Sequence, residues 1–572
     1  MKFLSLHTDY ISFKPLKKAL KKMGVLSEDD KKGKKIENAL AIMTAVEKHD
    51  SPIKEIVEKF VEEIKDIAKQ VNAFNIVLYP YAHLSSELAA PEHAIEVLNE
   101  AEKALKKDKK FQVHRAPFGY YKEFEMKVKG HPLSELSREI RVGGIVEEEI
   151  DHKQLLKKMS KIKMSTQKPP KGLKSNIELG RDLDLFIVSE IVGGGLPLLT
   201  PKGTTIKREI ENFVVDEELK RGYLHTATPI MAKSDLYKVS GHWQHYIKDM
   251  FTLKVGNDDF ALRPMTCPFH FVLYKRKPRG YKELPLKYAE ISSLFRNEKS
   301  GELRGLTRLR QFTLADAHII CRPDQLEKEF EEVLDLIKFV MKKLEIKDTW
   351  YRFSKWDPKN KEKYIDNPPA WENSQKVMKG ILDRLKIEYT EADDEAAFYG
   401  PKLDLQYRDV YGKEDTLITV QVDFALPERF GLTYKDKNNK EKMPMVIHRS
   451  SSGATERVMA YLLEKTQGNL PLWISPVQVK ILTMADKNTD YAGGVAAKLK
   501  EHKIRVELDT SDESIGKKVR DAQVEKVNYM ITIGDKEQEK NTLAVRDRIG
   551  KVEFGIILDD FVSRLKKELE GD

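Results

Sequence analysis

A stretch rich in proline, glycine and lysine, STQKPPKGLKS at residues 165–175, divides the chain and limits what it can fold into. Proline and glycine interrupt helices and strands, so this composition is typical of a linker between domains. Residues from 148 up to the linker have the pattern of a basic helix. A chain of 572 residues is also too long for one hydrophobic core, and about three or four domains are expected.

Residues 1–147 are predicted to form an α/β domain. MKFLSL and NAFNIVLYPYAHL (72–84) have the composition of β-strands, and residues 91–110 repeat apolar side chains at helical spacing after a proline. FQVHRAPF and KEFEMKVKGH follow as alternating strands on either side of a turn at Gly119.

Two further regions follow the linker. Residues 176–470 contain the strand-like segments KYAEISSLFRNE, TRLRQFTLADAHII and TLITVQVDFAL and a long helix predicted at 323–345. In residues 471–572, the strands VKILTM, IRVELD and YMITIG alternate with two helices, which predicts βαβ units and a parallel sheet. The fold class is therefore a multidomain combination of α/β and α+β.

The composition excludes several classes of protein. Hydrophobic residues make up 40% and charged residues 33%, and no stretch reaches the roughly 20 apolar residues of a membrane span. The first residues lack a signal-peptide pattern, and two cysteines exclude a disulfide framework, so a cytoplasmic protein without a membrane partner is expected. The net charge of +9 allows either an anionic partner such as nucleic acid or simply a solvated surface.

One of the two cysteines lies in RPMTCPFH (263–270), three residues before a histidine. By itself the pair Cys267 and His270 is weak evidence for a metal site, because both residue types are common in cores. His318 and His448 each lie in or just after an apolar, strand-like run. Spacing alone cannot join Cys267 to either of them.

Cys267, His318 and His448 all lie within a series of short motifs that follow one another along the chain. The motifs are LGRDLDLF, TPI with Pro229, SGHWQHY, RPMTCPFH, FRNE with RGLTRLRQFTLADAH, AFYGPKLD, TVQVDF and HRSSSGATER. Together they resemble the catalytic domain of class II threonyl-tRNA synthetases and cover roughly half of the chain. The resemblance implies an antiparallel-sheet catalytic domain at 176–470 that joins L-threonine to its tRNA through an adenylate. It also implies a homodimer formed through the first class II motif.

The resemblance implies one Zn²⁺ per chain, held by Cys267, His318 and His448 but not by His270. Three protein ligands leave a coordination position open. Zn²⁺ would be coordinated by both the amine and the hydroxyl of threonine, whereas an apolar pocket separates threonine from valine by only about 10²-fold. The residues that would line the threonine pocket are Asp316, Tyr399 and Gln421.

The same motifs imply ATP with Mg²⁺, bound by Arg296, Glu298, Arg308, Phe312 and Arg457. Arg296 would clamp the carboxylate and α-phosphate, and Arg457 would meet the γ-phosphate. His242 resembles the base for the terminal ribose hydroxyl of the tRNA, a role that suits a near-neutral pKa. The alternative for His242 is a hydrogen-bonded histidine near His245.

The two ends of the chain carry further resemblances. Residues 471–572 resemble an α/β anticodon-binding domain, in which Glu537 and Arg546 would read bases. In residues 1–147, the stretches LHTDYISF, YPYAHLSS, APFGYYKEF and GHPLSELSR resemble the archaeal editing domain, which is related to D-aminoacyl-tRNA deacylases. The chain lacks the HxxxH of bacterial editing domains. The residues implied in its pocket, where water would attack Ser-tRNA, are His83, Tyr121, Lys122 and Glu135. Alternatively, His83 is a core residue at a strand end and Glu135 begins a helix.

Two other functions compete with this interpretation. A seryl-specific enzyme is disfavoured by the anticodon-like domain. A prolyl-specific enzyme is disfavoured by the set of Cys267, His318 and His448 together with Asp316. A non-catalytic RNA-binding relative is disfavoured because Arg296 and Arg457 are both intact.

Overall fold

The computed structural model describes residues 1–20, 26–85, 87–140, 152–159 and 169–570. The chain separates into two compact units, Met1–Asp151 and His152–Asp572. The expected basic helix is present at His152–Met159, whereas the boundary predicted at 147/148 and residues 160–168 of the helix and linker lie outside the described residues.

The first unit is built from one mixed sheet and three helices in its described part. The strands are β1 (Lys2–Lys18), β2 (Lys34–Ala45), β3 (Asn75–Pro80), β4 (Gln112–Arg115), β5 (Tyr120–Val128) and β6 (Glu135–Glu139). The helices are α1 (Glu28–Lys32), α2 (Ile53–Gln70) and α3 (Pro91–Lys106). The α/β character predicted for this region is confirmed.

The sheet has the order β4-β3-β2-β1-β5, with β6 also beside β1. Helices α2 and α3 connect the parallel strands β2, β3 and β4, as a parallel pairing requires. Both segments around Gly119 are strands as predicted, but β4 pairs with β3 while β5 pairs with β1 at the other side of the sheet. Gly119, at φ 74°, adopts the left-handed conformation that glycine tolerates best.

The central part of the second unit follows α4 (His152–Met159) and a short helix, α5 (Asn176–Asp182). Its strands are β7 (Phe186–Ile187), β8 (Leu198–Leu199), β9 (Leu224–His225), β10 (Met231–Lys233), β11 (Thr252–Val255), β12 (Asp258–Leu262), β13 (Leu286–Phe295), β14 (Gln311–Cys321), β15 (Trp350–Ser354), β16 (Tyr389–Ala392), β17 (Lys402–Arg408), β18 (Glu414–Asp423), β19 (Tyr434–Lys435), β20 (Glu441–Lys442) and β21 (Met445–Ala454). Its further helices are α6 (Pro201–Lys220), α7 (Ser234–Ser240), α8 (His242–Tyr246), α9 (Cys267–Lys275), α10 (Leu326–Lys343), α11 (Pro368–Arg384), α12 (Leu426–Arg429) and α13 (Thr455–Thr466).

Eight of these strands form one sheet in the order β16-β15-β17-β18-β21-β14-β13-β9. The pairings from β15 to β13 are antiparallel, and the strand added at each edge is parallel to its neighbour. The antiparallel-sheet architecture is thus confirmed. Side chains such as Ala317, Ile319 and Ile447 join Phe330 of α10 in the largest apolar core, which leaves the opposite face of the sheet available for a site.

The last part of the chain forms a separate sheet, β23-β22-β24-β25-β26. Its elements are β22 (Val479–Thr483), α14 (Thr489–Glu501), β23 (Val506–Asp509), α15 (Ile515–Val524), β24 (Tyr529–Ile533), α16 (Asp535–Lys540), β25 (Leu543–Asp547), β26 (Val552–Ile556) and α17 (Leu558–Glu570). The predicted parallel βαβ units are present in β22, β23 and β24, but the short α16 reverses the chain and makes β25 and β26 antiparallel. Among the described residues of the whole chain, every helix is too short or too polar to span a bilayer.

Candidate active site and metal centre

The centre of the eight-stranded sheet aligns polar side chains on one face. His318 of β14 lies directly opposite His448 of β21, and His448 lies opposite Gln421 of β18. Because side chains alternate along a strand, Asp316 shares the face of His318, while Ala317 between them belongs to the core. The alternation therefore separates a polar face from the helix-covered face.

Cys267 joins this face from α9, which begins at that residue. The Phe271 ring of the same helix contacts the rings of His318 and His448, with centroids 5.9 and 6.0 Å apart. The thiol of Cys267 and one ligand nitrogen of each histidine lie within 4.8 Å of one another, and all three residues are buried. Among the described residues, no other group of three or more His, Cys, Asp or Glu side chains meets this geometry.

Burial sets the protonation of these three side chains. Burial, reinforced by the Asp316 and Asp423 carboxylates, raises the pKa of the Cys267 thiol well above its usual range. Burial and the adjacent His448 hold the pKa of His318 well below the ordinary value, so its imidazole is neutral and can donate a lone pair. Metal binding would replace the thiol proton. One thiolate and two imidazoles are ligands that zinc prefers, and the donor set fits that ion.

The three side chains lie in the wall of a cavity of about 440 Å³. This cavity is lined by all twelve residues that the resemblance implied for metal, threonine, ATP and catalysis: His242, Cys267, Arg296, Glu298, Arg308, Phe312, Asp316, His318, Tyr399, Gln421, His448 and Arg457. The fold therefore brings together side chains that are far apart in the sequence.

Arg296 is prepared for an anionic ligand. It follows β13, and its guanidinium lies over the Phe312 ring, 5.1 Å from the centroid. Its Nε is buried but has no hydrogen-bond partner among the described residues, although buried donors are normally satisfied. Arg308, by contrast, already donates from Nε to the Glu298 carboxylate at 2.9 Å. A phosphate or carboxylate in the cavity could accept the unused Nε–H of Arg296.

Arg457, in the first turn of α13, is oriented by backbone carbonyl groups. Its Nε donates to Thr307 O at 3.1 Å, and its Nη1 donates to Thr416 O. The Asp415 carboxylate lies 3.6 Å from Nη1. These contacts join the loop after β13 to β18 and fix the direction of the guanidinium at the cavity.

Asp316, Tyr399 and Gln421 meet beside the metal-binding group. The Tyr399 hydroxyl donates to Gln421 Oε1, and the Tyr399 ring lies 5.1 Å from the His448 ring. The Asp316 carboxylate is 3.9 Å from Nε2 of His318. Burial raises the pKa of Asp316, because the opposing influence of neighbouring histidines and of a threonine hydroxyl is smaller. The result is a small polar pocket next to the candidate metal position.

The near-neutral pKa expected for His242 is wrong for this structure. His242 is buried at the start of α8, and its Nδ1 lies 2.8 Å from the Ser240 hydroxyl. Burial, together with His448 and other neighbouring cationic groups, lowers the pKa of His242 to about 3, because little water remains to stabilise an imidazolium. His242 is therefore a neutral hydrogen-bonding group at physiological pH.

In the first unit, His83 and Lys122 are connected by a row of tyrosines. The Lys122 ammonium lies 5.0 Å from the centre of the Tyr79 ring, Tyr79 contacts Tyr81, and Tyr81 contacts His83, with ring centroids 6.3 and 5.4 Å apart. His83 is exposed in a short 3₁₀ turn, so it is not a core residue. Burial lowers the pKa of Lys122 to about 8.

Tyr121 and Glu135 lie apart from that row. Tyr121 is 57% exposed, and strand alternation directs it away from the face of Lys122. Glu135 begins β6, not a helix, and pairs with Leu6, whereas Lys122 pairs with Pro15 of the same strand. Nine residues of β1, about 30 Å at the usual rise, separate the two positions. The structure therefore does not bring Glu135 to Lys122.

Glu537 and Arg546 lie on successive elements of the last sheet. Glu537 is in the first turn of α16, where its carboxylate accepts the N–H of Gly534 at 3.0 Å. Arg546 is in β25 and donates from Nη1 to Gly550 O at 3.0 Å. Both side chains are half-buried, and each keeps polar atoms beyond these local bonds.

Three family models match the chain. Residues 1–140 match the archaea-specific editing domain of threonyl-tRNA synthetase, residues 251–466 the tRNA synthetase class II core domain (G, H, P, S and T), and residues 476–568 an anticodon-binding domain. A solved structure, described as the RNA-binding domain of threonyl-tRNA synthetase from Cryptosporidium parvum Iowa II, is 32% identical with a TM-score of 0.66. That match covers 69% of this chain and 98% of that one. The chain belongs to the threonyl-tRNA synthetase family.

Other members of the threonyl-tRNA synthetase family are similar over part of their length. Threonine–tRNA ligase of Clostridium perfringens is 54% identical over 396 residues, which is 68% of this chain and 62% of that protein. The structure of a putative threonyl-tRNA synthetase from Aeropyrum pernix is 28% identical, has a TM-score of 0.61, and is matched over 96% of its length and 69% of this chain. The chain thus spans less than two thirds of the bacterial relative.

Two residues outside the predicted set make polar contacts with the candidate metal-binding histidines. Asp423 Oδ2 lies 2.8 Å from Nε2 of His448, and Nδ1 of His270 lies 2.8 Å from Nδ1 of His318. Asp423 stands in TVQVDF, one of the motifs that resemble threonyl-tRNA synthetases. Its position two residues after Gln421 could have indicated the shared face, but only the strand register reveals the partner.

Proposed function

We propose that the chain is a threonine–tRNA ligase that joins L-threonine to its cognate tRNA at the expense of ATP through a threonyl-adenylate. The observation that carries the proposal is the single cavity lined by the metal-binding, threonine and ATP residues. The similarity to threonine–tRNA ligases supports the same reaction.

Threonine selection is assigned to Cys267, His318 and His448, which would hold one zinc ion. When bound, zinc supplies an open Lewis-acid position for the amine and hydroxyl of threonine, which valine cannot fill in the same way. Asp316 accepts a hydrogen bond from the amine or the hydroxyl, and the Tyr399–Gln421 pair closes the side of the pocket. The buried, closely spaced donor set supports this role.

Activation is assigned to the arginines of the cavity. Arg296 binds the carboxylate and α-phosphate while they react, and its unpaired Nε supports that role. Arg457 binds the γ-phosphate end of ATP, Phe312 stacks on the adenine, and Glu298 with Arg308 flanks the nucleotide, which enters with Mg²⁺. His242, neutral at physiological pH, would accept a hydrogen bond from the ribose hydroxyl of the tRNA and so position it for reaction.

Editing of Ser-tRNA is assigned to residues 1–147. Serine also carries the hydroxyl that the metal requires and lacks only a methyl group, so the first site rejects it weakly. The Lys122 ammonium would stabilise the developing oxyanion or orient the attacking water, with His83 in the same pocket. Tyr121 faces away from Lys122, so its assigned part in the pocket would require a rearrangement of the strand. Because Glu135 is remote from Lys122 along β1, its part in this pocket would require a second copy or a rearrangement.

The remaining assignments concern organisation and partners. We assign residues 176–470 to catalysis and 471–572, with Glu537 and Arg546, to the tRNA anticodon, in a cytoplasmic homodimer. Exposed apolar side chains near the first motif support a subunit contact: Leu219, Leu224, Ile230 and Met231.

Pyrophosphate exchange with each of the twenty amino acids tests the activity directly. Threonine should give the strongest exchange, serine a weaker one, and valine almost none. Exchange that depends on proline, or on no amino acid, would contradict the proposal.

Two variants test the assigned site. Arg296→Ala should reduce threonine-dependent exchange by about 10²–10³-fold, the usual effect of removing one preorganised donor, without changing zinc content. Cys267→Ala should remove both zinc and exchange. Arg384→Ala is the matched control, because Arg384 is exposed on α11 and pairs only with Glu327 among the described contacts. Near-normal exchange in Arg296→Ala would contradict its assignment.

A further inference from the structure

His270 is completely buried, and both of its ring nitrogens have a partner. Its Nδ1 lies 2.8 Å from Nδ1 of His318, and its Nε2 lies 2.9 Å from the Thr226 hydroxyl. The ring is one helical turn beyond Cys267 in α9, so it stands behind the metal-binding group and does not belong to it. This is the environment of a side chain that orients a neighbouring metal-binding residue.

The contact fixes which nitrogen of His318 faces the cavity. Its Nδ1 is engaged with His270, and its Nε2 faces Asp316 at 3.9 Å. If Nε2 donates its lone pair to a metal, the ring proton must be on Nδ1, and the two adjacent Nδ1 atoms can then share only that proton. His270 Nδ1 is consequently the acceptor, and the proton of His270 is on Nε2, next to Thr226.

The chain of contacts ends on a buried carboxylate. Glu290 accepts from Thr228 at 2.8 Å and lies 3.4 Å from the Thr226 hydroxyl and 3.7 Å from Nε2 of His270. The Arg263 guanidinium, also buried, donates to Glu290 at 2.8 Å and compensates its charge. Glu290 is thereby held as an acceptor that favours a proton on Nε2 of His270.

His448, the other histidine of the group, is oriented differently. Its Nε2 contacts the Asp423 carboxylate at 2.8 Å, which leaves Nδ1 as the ring nitrogen that can bind a metal. Asp423 is itself held in place, since it also accepts from the N–H groups of Ala425 and Leu426. One histidine is thus oriented by a carboxylate and the other by the imidazole of His270.

We propose that His270 is a positioning residue that holds His318 in the tautomer and orientation in which Nε2 binds zinc, and that Glu290 sets the proton position of His270. The inference rests on the proposed zinc site. Groups of this kind typically change metal affinity by about 10–100-fold when they are removed.

Two amide substitutions separate the functions of the two ring nitrogens. In His270→Asn, the side-chain oxygen can occupy the place of Nδ1 and still accept from His318. In His270→Gln, the amide reaches the place of Nε2 and Thr226 but leaves His318 without its acceptor. Phe271→Leu is the control for loosened packing, because Phe271 contacts both ligand rings without a hydrogen bond.

The affinity of the full chain for Zn²⁺ should be measured by competition with a chromophoric chelator, alongside the visible spectrum of the Co²⁺-loaded protein. We expect His270→Gln to bind zinc about 10–100-fold more weakly and to shift the Co²⁺ bands. His270→Asn and Phe271→Leu should remain within about threefold of the parent. Thermal unfolding of the metal-free forms checks that the variants are folded.

The outcomes distinguish this inference from the zinc proposal. If the parent binds no zinc, the proposed metal site fails, and the inference fails with it. If the parent binds zinc and a folded His270→Gln binds it equally well, or if His270→Asn loses as much affinity as His270→Gln, only the positioning role is overturned.

Discussion

A buried ion pair fastens α6 to the strand that carries His448, and its removal should destabilise the second unit. Arg449 Nη1 lies 2.6 Å from Glu218 Oε1, and both side chains are at most 1% exposed. Glu218 also accepts from the Ser451 hydroxyl and lies 2.9 Å from Nε2 of His225. In Arg449→Met, the Glu218 carboxylate would keep these two polar neighbours but lose its only buried cation among the described contacts.

Removing one partner of a buried pair typically costs about 3–5 kcal/mol, because the other charge remains desolvated. The shift in Tm per kcal/mol falls as a cooperative unit grows and is roughly 1 °C for a unit of this size, so Tm should fall by about 3–5 °C. Differential scanning calorimetry of chelator-treated protein measures this shift without a contribution from metal.

The double variant Glu218→Gln/Arg449→Met removes both charges and should recover most of the lost stability, which gives a clear coupling in a double-mutant cycle. Arg384→Met, which breaks the exposed pair with Glu327, is the matched control and should leave Tm unchanged. An Arg449→Met protein that melts within 1 °C of the parent, or a double variant that is less stable than Arg449→Met, would refute the reasoning.

Three further results are expected. Deacylation of Ser-tRNA should decline as pH rises through about 8, because the lowered pKa of Lys122 means that its ammonium is lost in that range. Lys122→Met should be slow at every pH. A parent profile that stays flat to pH 9.5 would exclude a role for the ammonium. Arg546→Ala should raise the KM for tRNA while leaving threonine-dependent pyrophosphate exchange unchanged, and equal losses in both assays would indicate a structural role instead. Gly203→Ala should lower Tm, since the added Cβ would lie 2.0 Å from Leu185 O; an unchanged melting curve would mean that α6 can shift away from that carbonyl group.

The parts of the fold that the sequence predicted well are those governed by local pattern. The strand-like segments KYAEISSLFRNE and TLITVQVDFAL correspond to β13 and β18, and the helical spacing of residues 91–110 identified α3. Pairing is a non-local property, so the same pattern could not indicate that β4 and β5 lie in different parts of their sheet. β25 and β26 are likewise antiparallel because the chain reverses at the short helix α16. The sequence pattern carries no periodic signal for that reversal.

The candidate site shows a similar division. The cavity contains every catalytic-domain side chain assigned by resemblance, because motif residues are those that meet at a ligand. Residues that act through others, such as His270 and Asp423, have no spacing rule. His270 depends on how α9 packs against β14, and Asp423 depends on the register of β18 and β21. The electrostatics of His242 were also beyond the sequence, because its low pKa arises from complete enclosure by distant segments.

The distribution of the three metal-binding side chains along the chain has a consequence for biosynthesis. Cys267 belongs to a helix, and His318 and His448 belong to two paired strands that are separated by more than a hundred residues of sequence. During translation, which adds about 5–20 residues per second, the group cannot assemble until β21 has left the ribosome and paired with β14. The first unit, Met1–Asp151, is complete in sequence long before that point. Loading of the proposed metal site would thus be a late event, and a nascent chain released early would expose Cys267 as an unprotected thiol.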